Sequence, residues 1–291
     1  MQLRPYQQTA IDCAWAWMRH NVGNPAIVIP TGGGKSPVMA AMARQVAESG
    51  GRVGIVAHVA ELVSQNHDKL RMLWPEARAG IYSASLRKRD RFEPILFCQI
   101  QSVAKRAPQL GRFDLLLVDE AHRIPLKGDG LYLQFINECR RFNPDLRVIG
   151  LTATPYRLQG AAVPVCGPDN VLQDMAYEAR IGDLIADGFL SKLVSKAGRA
   201  RADLSGVHTR GGEYIEAELA RAVDRDELVE AACDEMCALA ADRRERAAHL
   251  ARDTLRRNAG VQSAYPHQAA RRGLFQRRVL RHLREVHRVD G

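Results

Sequence analysis

Five short, almost wholly apolar runs punctuate the first half of the chain, at residues 26–29, 53–57, 95–99, 115–118 and 148–152. Runs of this length with little polar interruption are what strands buried on both faces require. Longer stretches of helical character lie between them, among them residues 36–48 and 60–73. Strands alternating with helices predict an α/β fold with a mainly parallel sheet covered on both faces. Ligands of such sheets bind outside the carboxyl ends of the strands. Near Gln159 the pattern becomes irregular, with Gly160, Pro164, Gly167 and Pro168 close together, which marks the exit from a first domain. Beyond it, residues 174–188 predict a helix, 190–195 a strand entering a second domain, and 217–241 a further helix or helix pair. The expected organisation is a first domain over 1–158, a connection and the start of a second lobe over 159–242, and a distinct tail over 243–291.

Two polar motifs follow directly on apolar runs. Pro30-Thr31-Gly32-Gly33-Gly34-Lys35-Ser36 comes after the first, and Asp119-Glu120-Ala121-His122 after the fourth. Glycines at 32, 33 and 34 let the main chain wrap a phosphate without side-chain clash, and the amides opening the next helix can point at it. Lys35 then reaches the terminal phosphates and the Ser36 hydroxyl can bind magnesium. Asp119 supplies an acid for the magnesium shell, and Glu120 a base that orients or deprotonates a water. The strict loop pattern has Gly six positions before the Lys, where this chain has Ile29. Together the two motifs describe a nucleoside triphosphate site with magnesium.

Other stretches stand in a fixed order around them. Leu3-Arg4-Pro5-Tyr6-Gln7 opens the chain, and Leu151-Thr152-Ala153-Thr154-Pro155-Tyr156-Arg157 follows the acidic motif. In this order the chain resembles the first domain of a superfamily 2 helicase of the DEAD/DEAH type. It is most similar to the form common in phages and prophages, through Ala57-His58-Val59-Ala60-Glu61-Leu62-Val63, Gln99-Ile100-Gln101-Ser102 and Arg210-Gly211-Gly212-Glu213. The resemblance runs to about residue 242. It implies a RecA-like, three-layer P-loop NTPase domain, followed by an incomplete second lobe and a basic tail. It also implies ATP and Mg2+ as cofactors, and ATP hydrolysis coupled to movement along nucleic acid.

The same resemblance assigns roles. Gln7 matches the adenine reader, and its amide can both donate to and accept from one base edge. Thr31, Gly32, Gly33, Gly34, Lys35 and Ser36 match the phosphate loop, Ser36 and Asp119 the magnesium-holding pair, and Lys35, Asp119 and Glu120 the catalytic set. His122 matches a relay position, and Thr152 and Thr154 the hydroxyl pair that couples hydrolysis to domain movement. His58, Ser64, Gln101 and Ser102 match strand-tip segments that touch a nucleic-acid backbone, which positions a strand without reading its sequence. Many family members have Arg where this chain has Val59, so one charged phosphate contact is lacking.

Charge changes the picture only by its location. The chain of 291 residues has a net charge of +9, and residues 243–291 carry 13 Arg, no Lys and 4 acids, so the tail accounts for all of it. The tail is expected to be poorly ordered or helical. Its composition admits two origins: a true basic segment that contacts nucleic acid electrostatically, or a frame-shifted reading. A motif with Gln, Gly and two Arg, which closes the ATP site from the second domain, is not found there, and Gln276-Arg277-Arg278 lacks the spacing. The expectation is therefore an ATP-dependent helicase or translocase in truncated form, or a catalytically impaired remnant that binds nucleotide and nucleic acid. Its partner is nucleic acid, with DNA favoured over RNA, and a partner chain could supply a second lobe. The six cysteines at 13, 98, 139, 166, 233 and 237 form no CxxC pair and suit a reducing cytoplasm. The apolar runs are too short to span a bilayer, so no membrane partner is expected.

Overall fold

The computed structural model describes residues 3–192 except 127 and 160, then 202–210, 213–223 and isolated positions between 225 and 235. The tail over 243–291, Cys233 and Cys237 lie outside the described residues, as does most of the helix expected over 217–241. Chain order is α1 Pro5–His20, β1 Pro25–Val28, α2 Lys35–Glu48, β2 Val53–Ala57, α3 Ala60–Leu73, β3 Ala79–Ser83, β4 Lys88–Arg89 and β5 Ile95–Gln99. There follow α4 Ile100–Val103, α5 Ala107–Leu110, β6 Leu115–Asp119, a 3-10 turn Ala121–Arg123, α6 Leu131–Phe142 and β7 Arg147–Thr152. The hairpin β8 Tyr156–Gln159 and β9 Ala161–Pro164 comes next, then β10 Asp174–Glu178 and α7 Ile181–Ala186.

Eight of the described strands form one sheet in the order β10-β1-β7-β6-β2-β5-β3-β4. Every pairing is parallel except β3 with β4. The continuous apolar runs have a simple cause: alternate residues feed two cores. Ile27, Ile55, Phe97, Leu117 and Ile149 meet Ile11, Met39, Met42 and Leu70 of α1, α2 and α3. Ala26, Val56, Cys98, Leu116 and Val148 meet Tyr132, Phe135, Ile136 and Cys139 of α6. Both faces are dry, so the inner strands take polar residues only at their ends, as at Gln99, Asp119 and Thr152. The expected three-layer, mainly parallel α/β domain is the observed one.

Residues 174–188 differ from expectation. The first five form β10, an edge strand parallel to β1, with Pro25 opposite Asp174 and Val28 opposite Glu178. Only 181–186 are helical. The segment Asp-Met-Ala-Tyr-Glu is half-exposed, so it lacks the apolar run that marks the inner strands. The strand expected over 190–195 is not formed in its described residues, 190–192. The first compact unit thus extends to residue 193 and takes in a segment expected to belong to a connection and second lobe. The second unit shows β11 Thr209–Arg210 paired antiparallel with β12 Glu213–Tyr214, then α8 Glu216–Val223. There Glu218 accepts from both the backbone N–H and Nδ1 of His208, at 2.7 and 3.0 Å. No described helix is long and apolar enough to cross a membrane.

The end of the sheet opposite the motifs is held by Arg52, just before β2. Its guanidinium donates to the carbonyls of Glu93 (3.0 Å), Arg112 (3.1 Å), Leu110 and Arg91, and lies 4.5 Å from the centre of the Phe113 ring. Its own N–H donates to Asp114 Oδ2 at 2.8 Å. One planar fork therefore fastens the loops leading into β5 and β6. Hydrogen bonds from a charged donor are worth about 1.5–3 kcal/mol each and do not add fully. Arg52→Ala should lower the unfolding free energy by about 3 kcal/mol, measured by urea denaturation. Arg52→Lys should recover little, since an ammonium cannot span carbonyls set out in a plane. A Lys variant as stable as the parent would refute this account.

Candidate nucleotide site

The chain leaves β1 through Ile29, whose N–H donates to Thr152 O at 2.9 Å, and turns at once. Gly33 N–H closes the turn on Pro30 O at 2.9 Å. Gly32 and Gly34 have φ of +81° and +85°, in the left-handed region that favours glycine. A Cβ on Gly33 would stand 2.6 Å from Ile29 Cγ2 and 3.0 Å from Pro30 O. Ile29, at the position where the strict pattern has Gly, is fully buried and packs its Cγ2 beneath Gly33, filling the hollow under the loop. Gly34 then caps α2, and Lys35 and Ser36 open it. The result is a glycine-lined hollow at a helix N-terminus, where amides and the dipole favour an anion.

Gln7 and Tyr6 brace this loop from α1. Gln7 Nε2 donates to Gly33 O at 3.0 Å and Gly34 O at 3.4 Å, and Tyr6 Oη donates to Gly33 O at 2.5 Å. Gln7 Oε1 accepts from Arg4 N–H at 2.9 Å, so the same amide caps its own helix.

The acidic motif leaves β6 two strands away. Asp119 ends the strand, 4% exposed. Its Oδ1 accepts from Glu120 N–H at 3.0 Å and its Oδ2 from Asn66 Nδ2 at 2.9 Å. Burial pushes its carboxyl above the usual range, against the Asn66 hydrogen bond and the Lys35 charge. Glu120 has φ +52°, uncommon for a residue with a side chain. Its carboxylate lies between two cationic or protic groups, Oε1 3.0 Å from Lys35 Nζ and Oε2 3.3 Å from His122 Nδ1. His122 Nδ1 is also 2.9 Å from Thr152 Oγ1. Donation from Nδ1 to the Glu120 carboxylate needs the tautomer that carries its proton on Nδ1. Thr152 Oγ1 then donates to Thr154 O at 3.0 Å and accepts from Thr154 N–H at 3.1 Å. The structure thus joins Lys35, Glu120, His122, Thr152 and the Thr154 backbone in one chain of contacts.

Ser36, Asp119 and Glu120 supply a hydroxyl and carboxylates, hard oxygen donors of the kind magnesium takes alongside substrate phosphates. Among the described residues no group of three His, Cys, Asp or Glu could hold a metal by itself. The glycine hollow and these oxygens fit a magnesium-bound triphosphate.

The expected nucleic-acid residues are scattered by comparison. His58 sits at the end of β2, half-buried, with Nδ1 buried and without a hydrogen-bond partner. Burial holds its pKa down, helped by Arg123 and opposed by Glu120, so it belongs electrostatically to the acidic motif. Ser64 is half-buried on α3 and Gln101 is exposed. Ser102 is buried, and its Oγ accepts from Ala84 N–H at 2.9 Å, fixing the tip of β3 instead of facing outward. Two residues of the site escaped the sequence reading. Asn66 had a signal, a lone polar residue on the face of α3 that buries Val63 and Leu70. The Tyr6 bond to the loop had none.

This fold and this site define the class of superfamily 2 helicase N-terminal lobes. The family described as type III restriction enzyme, res subunit, matches residues 1–157, and the chain belongs to that family. Over 246 residues it is 24% identical to IRC3 of Saccharomyces cerevisiae, provisionally named an ATP-dependent helicase, covering 78% of this chain and 34% of that protein. The chain therefore spans about a third of that curated relative's length. Among solved structures, the Hef helicase domain of Pyrococcus furiosus is 24% identical with a TM-score of 0.47, covering 61% of this chain and 38% of that one. The UvsW helicase of bacteriophage T4 is 20% identical with a TM-score of 0.42, covering 53% and 54%.

Burial also lowers the pKa of His122, with the Glu120 charge opposing. Both histidines are then held below their ordinary value near 6.5, so as pH falls below about 6.5 the unfolded chain takes up protons first. Stability should fall as pH drops from about 7 towards 5. His58→Gln and His122→Gln should each flatten that slope, read from urea midpoints at the two ends of the range. Parallel slopes in parent and variants would place the dependence elsewhere.

Proposed function

We propose that this chain is the ATP-binding lobe of a nucleic-acid helicase or translocase. The single observation that carries the reading is the Lys35–Glu120 contact at 3.0 Å. It brings the phosphate-loop cation and the candidate base into direct contact, so a bound phosphate would have to part them. The loop amides and Lys35 take the β- and γ-phosphates. Ser36 and Asp119 would hold magnesium, which would neutralise charge on the phosphate oxygens. In this structure Lys35 and Glu120 neutralise each other. A triphosphate competes for Lys35 and frees Glu120 Oε1 to accept a proton from water. His122 follows, because the carboxylate it touches has lost its other partner, and passes the change to Thr152 and the Thr154 backbone at the end of β7.

Nucleic acid, DNA before RNA, lies across the strand tips near His58, Ser64 and Gln101, held by its phosphates. Full rate needs an arginine from a second lobe, on this chain beyond the described residues or on a partner, worth about 10³–10⁵. The tail over 243–291 adds electrostatic attraction to the same partner.

Glu120→Gln should bind a fluorescent ATP analogue within about threefold of the parent and lose hydrolysis by about 10²–10⁴. Lys35→Ala should lose nucleotide affinity. Single-stranded DNA should stimulate the parent more than RNA does. No stimulation by either, with equal turnover in parent and Glu120→Gln, would leave a nucleotide-binding remnant of such an enzyme.

A further inference from the structure

We infer that Asn66 is a positioning residue for Asp119, orienting its carboxylate towards the magnesium ion. The inference rests on the reading of Asp119 as the metal-shell acid given above. Asn66 is 3% exposed, on a face of α3 otherwise given to Val63 and Leu70. A buried amide without a partner is costly, and such groups are retained where a specific bond needs them. The bond here is Nδ2 to Asp119 Oδ2 at 2.9 Å, made from a different element of the fold.

An aspartate carboxylate turns easily about its last torsion, which is broad and two-fold. A single hydrogen bond leaves that rotation open. Asp119 has two, one on each oxygen: Oδ1 from the Glu120 N–H, which comes with the strand end, and Oδ2 from Asn66. Two fixed donors on two oxygens set the plane of the carboxylate, and with it the direction of the lone pairs left for a metal or its water. Of the two, only Asn66 is a side chain whose removal leaves the backbone course unchanged. Held in this way, the acid is also registered to α3, the helix that starts two residues after His58.

The test measures affinity for a fluorescent ATP analogue twice on each protein, in magnesium and in EDTA. The full chain is compared with Asn66→Leu, which keeps the branched side chain but has no donor, and with Asn66→Ala. The magnesium-dependent gain in affinity should fall about tenfold in both, in line with one lost hydrogen bond to a charged group. The EDTA constant should stay within about twofold of the parent. A purely structural role would lower both constants alike, because any unfolded fraction scales them equally, and the ratio would not move. A ratio within about twofold of the parent in both variants overturns the inference. Asp119→Asn separates the two readings. It should abolish the magnesium-dependent gain. If it does not, the assignment of Asp119 itself fails, whatever the Asn66 variants do.

Discussion

Backbone pairing among β1, β7 and β6 decides where each charged group of the site can stand. Val28 lies opposite Thr152, and Leu151 opposite Asp119, so the three strands end at one level. Parallel neighbours are about 4.8 Å apart, and side chains leaving adjacent ends need no long loop to meet. Lys35 arrives from the turn after β1, Glu120 and His122 from the turn after β6, and Thr152 from the last position of β7 between them. The N–H of Ile29 on Thr152 O extends the same ladder into the phosphate loop. At the far end Arg52 fastens the loops that feed β5 and β6, so slippage there would move the Glu120 carboxylate at this end. A register shift of one residue would turn Asp119 into a core and bring an apolar side chain to the site.

Charge balance explains how the arrangement is held. Asp119 and Glu120 are adjacent in sequence, and one lysine faces them. Asp119 is held by two hydrogen bonds and by burial, Glu120 by the Lys35 ion pair and the His122 ring. The left-handed backbone at Glu120 belongs to this balance. Such conformations cost of order 1–3 kcal/mol and persist where the surroundings fix them. Here the contacts to Lys35 and His122 both depend on that turn of the chain.

The inner strands were legible because burial on both faces leaves no room for polar residues, and their ends carried the motifs. Strand β10 was not, since an edge strand bonded on one side tolerates Asp174 and Glu178, and its sequence reads as helix as easily as strand. Strand β3, Ala-Gly-Ile-Tyr-Ser, is too mixed to stand out beside runs such as Leu-Leu-Leu-Val. Of the site, what was legible from type and spacing was which residues come together: the glycines, Lys35, Asp119, Glu120 and His122. Residues whose roles lie in a backbone partner were not legible. Arg52 and Tyr6 act on carbonyls, which leave no trace in a sequence, and Ser102 reads the same whether it faces a phosphate or the Ala84 amide.

Gln7 shows how the two kinds of role can share one side chain. Its Nε2 hydrogens go to the Gly33 and Gly34 carbonyls, and one Oε1 lone pair goes to Arg4 N–H. Of an amide's two donors and two acceptor sites, one acceptor site is left. That acceptor suits a base with an exocyclic amino group, as adenine has, and would oppose a carbonyl oxygen at the same place. Selectivity of this kind needs the donors to stay bound, because a freed Nε2 could turn and donate to guanine's carbonyl oxygen instead. The bonds that hold Gly33 and Gly34 in place are the same bonds that keep Gln7 presenting oxygen.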